Sequence, residues 1–185
     1  MKRALLFLGT FLMILSSGCI GPEGPPGRDG FDGRDGQDGA DAELSKVVDI
    51  QGTFSADNDY SLFYEFPNNL EVFETDVVLV YLLWDQTEDG NGDPVDIWRL
   101  LPQTRILDQG LLQYNYDHTF FDVNIFLEAD FDMATLLSGD TDDQVFRIAV
   151  IPAESLGGKM DRSNIASVMA QLGITEKDIP RIKLN

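Results

Sequence analysis

Glycine stands at every third position from Gly21 to Asp41, at Gly21, Gly24, Gly27, Gly30, Gly33, Gly36 and Gly39, through seven consecutive triplets. That spacing fits three polyproline-II strands wound around a common axis, where only a residue without a side chain can be accommodated. Fully extended at about 3.1 Å per residue, the tract spans roughly 65 Å. It begins two residues after Cys19, which closes a short apolar run. These features constrain where the chain sits and how it is built, while naming no ligand and no reaction.

The 185-residue chain is 43% apolar, enough for one ordinary domain with extensions. Its net charge is −19, and the first 18 residues hold Lys2 and Arg3 but no acid, so the remainder carries −21. Coulomb repulsion at that charge opposes nucleic acid or anionic lipid as a partner. It suits solubility at a surface or divalent-cation binding.

Residues 1–18 have the layout of a secretory signal peptide: a basic start at Lys2 and Arg3, an apolar run from Ala4 to Leu15, and small residues Ser16, Ser17 and Gly18. The apolar run falls short of the about 20 residues of a comfortable membrane span. An uncleaved anchor is the alternative. Cys19 is the only cysteine, so no disulfide forms within the chain, and an odd cysteine in an exported protein asks for a role. Leu15 to Cys19, LSSGC, resembles the lipobox of bacterial lipoproteins. Gly18 matches that motif, whereas Ser16 stands where an aliphatic residue is usual, with Leu15 one place earlier. The resemblance implies a diacylated Cys19, palmitate among the chains, that becomes the mature N-terminus and anchors the protein in membrane lipid. Several acyl chains on one residue hold stably where one does not. Ile20 after the cysteine, rather than Asp, resembles lipoproteins sorted to the outer membrane; the leaflet stays undecided.

The glycine tract is collagen-like, and two readings of it stand open. Its prolines, Pro22, Pro25 and Pro26, all lie at the Cys19 end. Arg28 and Arg34 face Glu23, Asp29, Asp32, Asp35, Asp38 and Asp41, a net −4 per chain and −12 for three side by side. Salt screens that repulsion only in part. A homotrimer therefore needs a trimeric head or bridging divalent cations, and the other reading is a monomeric, extended, disordered tether.

From about Lys46 the period changes to two, marking the boundary between a lipid-bearing stalk (residues 19–45) and a domain (residues 46–185). Val48, Ile50 and Phe54 share one face of the first run; Tyr60, Leu62, Tyr64 and Phe66 share one face of the second. Val77 to Trp84 is apolar on both faces and reads as a buried central strand. Further strands are expected over 95–101, 111–118, 120–127 and 145–151. Seven strands with turn signals between them predict a mainly β antiparallel sandwich, jelly-roll or immunoglobulin-like, with a short C-terminal helix. Met133 to Leu137 reads as one helical turn ended by Gly139. Asp161 is the expected cap of a helix carrying Ile165, Val168, Met169 and Leu172 and stopped by Gly173. Thr175 to Asp178 resembles a capping box.

The segment from Asp85 to Asp96 can be read as a calcium loop, with Asp85, Thr87, Asp89, Gly90, Asn91, Asp93 and Asp96 at positions 1, 3, 5, 6, 7, 9 and 12. Oxygen ligands and a glycine at the sharp turn suit calcium. Asp at the last position and strands in place of helices do not, and Asp, Asn and Gly also make plain turns. Asp140, Asp142 and Asp143 form a second acidic cluster. His118 is the sole histidine and its neighbour Asp117 points to the opposite strand face. No serine elbow, zinc ligand set, phosphate loop or dinucleotide fingerprint is visible, so no enzyme is expected. Tyr60, Tyr64, Trp84, Trp98, Tyr114, Tyr116, Phe120 and Phe121 supply either core or a glycan platform.

Lipobox, collagen tract and β-rich head together resemble the short collagen-like lipoproteins of Gram-negative bacteria. That resemblance implies a cell-envelope protein with a structural or adhesive display role. The second expectation is a calcium- or glycan-binding surface module, with a surface protein or glycan as partner.

Overall fold

The computed structural model describes residues 46–156 and 160–184. The expected signal peptide, Cys19 and the glycine tract lie outside them. The described part is mainly β, in two sheets. One has five strands in the order β4-β3-β8-β1-β9: Pro94–Leu100, Val77–Glu88, Gln144–Ile151, Val47–Gly52 and Arg181–Lys183. The other has four in the order β2-β7-β6-β5: Ser61–Glu65, Asp122–Ala129, Gly110–His118 and Gln103–Leu107.

Alternation along the strands builds the core between the sheets. Val48, Ile50, Val78, Val80, Leu82, Phe146, Ile148 and Val150 come from one sheet. Leu62, Tyr64, Leu112, Tyr114, Val123, Ile125 and Leu127 meet them from the other. Phe54, beyond the end of β1, fills the centre edge-on to Phe146 at 5.9 Å. Tyr60 precedes β2 with φ at 50°, outside the strand expected there, yet packs on the same core.

The doubly apolar run of β3 has a second layer to explain it. Its alternate residues Leu79 and Tyr81, with Val47, Ala149 and Ile151, face away from the sandwich and pack against a C-terminal helix. That helix, α2 (Ile165–Leu172), contributes Ile165, Val168 and Met169. An apolar outer sheet face is stable only when another element covers it.

Several local expectations need correction. Among the described residues there are nine strands, not seven, and β1 pairs with β9 in parallel, so the sheets are not wholly antiparallel. Met133–Thr135 is a short 3-10 turn, and Gly139 lies inside a separate one-turn helix, α1 (Ser138–Thr141), instead of ending the first. Asp161 does not cap α2. Asn164 does, accepting from the Ala166 amide at 3.0 Å, while the Asp161 carboxylate accepts from the Ser163 amide and hydroxyl one turn earlier. Gly173 ends α2 in the left-handed conformation, φ 69°, as its position implies. The capping box at Thr175 and Asp178 also forms.

Candidate functional site: a groove between edge strand and helix

Strand β8 carries one charge in an apolar run, Arg147, and β1 carries Asp49 opposite it in register. Both point to the side covered by α2, where the arginine side chain is 1% exposed and the aspartate 5%. A charge so buried must be paired. Arg147 Nε donates to Asp49 Oδ1 at 2.7 Å and Nη2 to Oδ2 at 3.1 Å. On its other side the guanidinium makes two bonds to Glu176, at 2.7 and 2.8 Å. Arg181 on β9 adds a bond to Asp49 Oδ2 at 3.2 Å. Burial alone would lower the Arg147 pKa, but the two carboxylates outweigh it and hold the group above its ordinary value. The four charges thus cancel while tying the C-terminal segment to the sheet.

The indole of Trp98 lies over Arg147, 4.3 Å from ring centroid to guanidinium carbon, and the Met169 sulfur sits 3.4 Å from Nη1. Trp98, Met169 and Glu176 also line a groove of about 890 Å³ between β4 and α2. Pro94, Val95 and Asp96 complete the strand wall, while Ile165, Ala166 and Ala170 belong to the helix wall. The groove is therefore mainly apolar, built on a locked ionic base.

The residues of the expected calcium loop flank this groove as a hairpin. Asp85 and Thr87 lie on β3 and Asp96 on β4; Gln86 faces Asp96 in register and donates to its carboxylate at 2.7 Å. The tip runs through Gly90, Asn91 and Asp93. There Asp89 Oδ1 accepts from the amides of Asn91 and Asp93, at 2.7 and 3.0 Å. Those two bonds, the Asp93 amide first, hold the Asp89 carboxyl below its ordinary pKa. Among the described residues no three or more His, Cys, Asp or Glu gather as a metal site. The second acidic cluster is divided among separate partners: Asp140 binds Arg105 at 2.9 Å, Asp142 accepts from the Thr141 hydroxyl at 2.8 Å, and Asp143 meets Lys183 at 3.1 Å.

His118 is exposed at the end of β6 and stacks on Tyr116, 6.3 Å between centroids; Asp117 pairs across to Asn124. A small hollow of about 180 Å³ opens beside it, lined by Phe73, Val78 and Phe120 among others. Of the eight aromatics that could have formed a glycan platform, Tyr64 and Tyr114 are buried, and Tyr60, Trp84, Trp98 and Tyr116 pack partly into the cores. Phe120 and Phe121 are exposed, with ring centroids 4.0 Å apart. Trp84 sits at the β3 bulge with Arg99 at 3.9 Å and Arg105 at 4.7 Å from its ring.

Sequence reasoning missed Arg147 and Asp49. The available signal was one base and one acid, each isolated within an apolar strand run, VFRIAV and VVDI. Comparison with protein-family models, with curated proteins and with solved structures finds no match.

Proposed function

We propose that the protein is a collagen-like lipoprotein of the bacterial outer membrane that displays its β-rich head away from the lipid. Cys19 carries the acyl anchor, residues 1–18 direct export, and the glycine tract spaces the head from the membrane. Within this reading the head is a jelly-roll or immunoglobulin-like sandwich with a structural or adhesive role. The observation that supports the reading most is the run of seven Gly triplets starting two residues after a lone cysteine. Anchoring by the cysteine and spacing by the tract account for both together.

Labelling with a tagged fatty acid tests it. The unaltered chain is expected to take up the label and the Cys19→Ser variant to lack it; an unlabelled parent, or a variant labelled as strongly as the parent, refutes the anchor. Light scattering on the chain from residue 20 onward separates the two stalk readings. A trimer lost on deleting the glycine tract supports a triple helix, and a monomer supports a tether. The same measurement with and without calcium, followed by a calcium titration of thermal unfolding, tests the alternative of a calcium-binding surface module.

A further inference from the structure

We propose that β4 and the groove beside it form a docking site for an extended segment of a partner polypeptide carrying both apolar and basic side chains. The segment adds as a further strand to the five-stranded sheet. This inference concerns the head alone and holds whether or not Cys19 is acylated.

The backbone supplies the first argument. β4 is the outermost strand at one edge of its sheet. At the hairpin tip the Asp89 amide donates to Asp93 O at 2.9 Å, and at the far end the Leu101 amide donates to Val80 O at 2.9 Å. Antiparallel ladders alternate. Counting inward from both ends directs the amides of Val95 and Ile97 toward β3 and those of Asp96 and Trp98 outward. No described backbone group pairs with that outer edge, and the one side chain that reaches the end of it is Gln103, which donates to Leu100 O at 2.8 Å. Exposed strand edges are usually blunted by lysine, proline or brevity. Here Pro94 occupies only the first position, and the strand's single base, Arg99, follows Trp98 and lies over the Trp84 ring. The opposite edge, β9, is three residues long and ends in Lys183.

The groove supplies the second. A strand laid along β4 would direct alternate side chains to the face that Trp98 occupies, which is where the groove lies. Its floor offers Trp98 and Met169, and on the helix wall Ala166 and Ala170 leave room for branched apolar side chains. An edge strand beside a helix-walled groove is a recurrent way of capturing extended peptides, with main-chain bonds giving affinity and pockets giving selectivity.

Charge selects the occupant. From Asp85 to Asp96 the hairpin holds Asp85, Glu88, Asp89, Asp93 and Asp96 without one base; the base that β4 itself carries, Arg99, is drawn over the Trp84 ring at 3.9 Å, and the nearby Arg147 is already neutralised by Asp49 and Glu176. A cationic segment meets that field favourably. A second copy pairing β4 to β4 would bring two such hairpins together, and the tract from Gly21 to Asp41, at −4, meets the same repulsion.

The test is titration of the full chain with a short synthetic peptide of valine and lysine, followed by Trp fluorescence and by hydrogen exchange at the Asp96 and Trp98 amides. Binding with slowed exchange at those two amides is expected. Methylating alternate peptide nitrogens, exchanging lysine for glutamate, or filling the groove with Ala166→Trp should each weaken binding about tenfold or more. Ala166 is exposed, so thermal unfolding of that variant should match the parent. No binding, or equal binding by the methylated peptide or by the filled variant, overturns the proposal. Self-association through β4, seen in light scattering as a dimer abolished by Ala166→Trp, overturns it in favour of a second copy.

Discussion

Replacing Arg147 by methionine keeps most of its volume and removes its charge. Asp49 is left 5% exposed with one remaining partner, Arg181, at 3.2 Å, itself half in solvent. Five hydrogen bonds go, two to Asp49, two to Glu176 and a weak one to the Met169 sulfur. The two halves differ in weight. Glu176 is 67% exposed and regains water when released, so its share is that of a surface pair, about 1 kcal/mol or less. Asp49 cannot reach water without opening the sheet, and breaking a buried pair typically costs about 3–5 kcal/mol, of which the half-exposed Arg181 offsets only a part. The loss expected for Arg147→Met is therefore about 3–5 kcal/mol, most of it from Asp49. Urea unfolding followed by far-UV circular dichroism measures it. The double variant Arg147→Met with Asp49→Leu removes the orphan and should recover most of the loss, because apolar replacement of a buried pair is often near neutral. A single variant that loses under about 1 kcal/mol, or a double variant no more stable than the single, refutes the reasoning.

Three further outcomes follow from local geometry. Burial raises the Tyr114 hydroxyl to about 12, partly offset by Arg105. The folded state therefore holds that proton more tightly than the unfolded chain, and stability should fall as pH rises from about 10 toward 12. Tyr114→Phe should flatten that fall while costing about 1 kcal/mol at neutral pH for the lost bond to Asp140 O, read by urea unfolding at pH 7 and pH 11. Gly110 has φ at 146°, and a Cβ there would lie 2.1 Å from the Asp130 carboxylate that accepts from the Leu111 amide. Gly110→Ala should cost about 1–3 kcal/mol; a midpoint unchanged in thermal unfolding would contradict this. Asp89→Ala removes the acceptor that closes the β3–β4 tip, so the Asn91 and Asp93 amides should exchange faster while the thermal midpoint barely moves; protected amides would show that the turn closes without it.

The two-sheet plan was legible because apolar alternation is a direct record of one buried face, as in Leu62 and Tyr64 or Phe146, Ile148 and Val150. The run from Val77 was legible as doubly buried, though not what covered its second face. Strand β5 escaped notice because Arg105 occupies a position where an apolar residue would have completed the alternation. β9 has three exposed residues and is a strand only through its parallel pairing with β1. Asp161 and Asn164 are both good caps, and a tight turn between them decides which one starts the helix. The groove was invisible in principle: its walls, Trp98 and Ala166, lie far apart in sequence and meet only because α2 folds back over the sheet. The expected calcium residues were easy to find, since they cluster in sequence, but the strand ladder spreads Asp85, Asp89 and Asp96 along a hairpin.

The proposed display role depends above all on Cys19 being a lipid anchor at the start of the mature chain. Mass spectrometry of the N-terminal peptide from membrane-extracted protein tests that directly. The expected species begins at Cys19, lacks residues 1–18, and carries a diacylglyceryl group on sulfur with fatty acyl chains that hydroxylamine or base releases. A peptide retaining Met1, or one with Cys19 as a free thiol, would contradict the anchor and with it the display role.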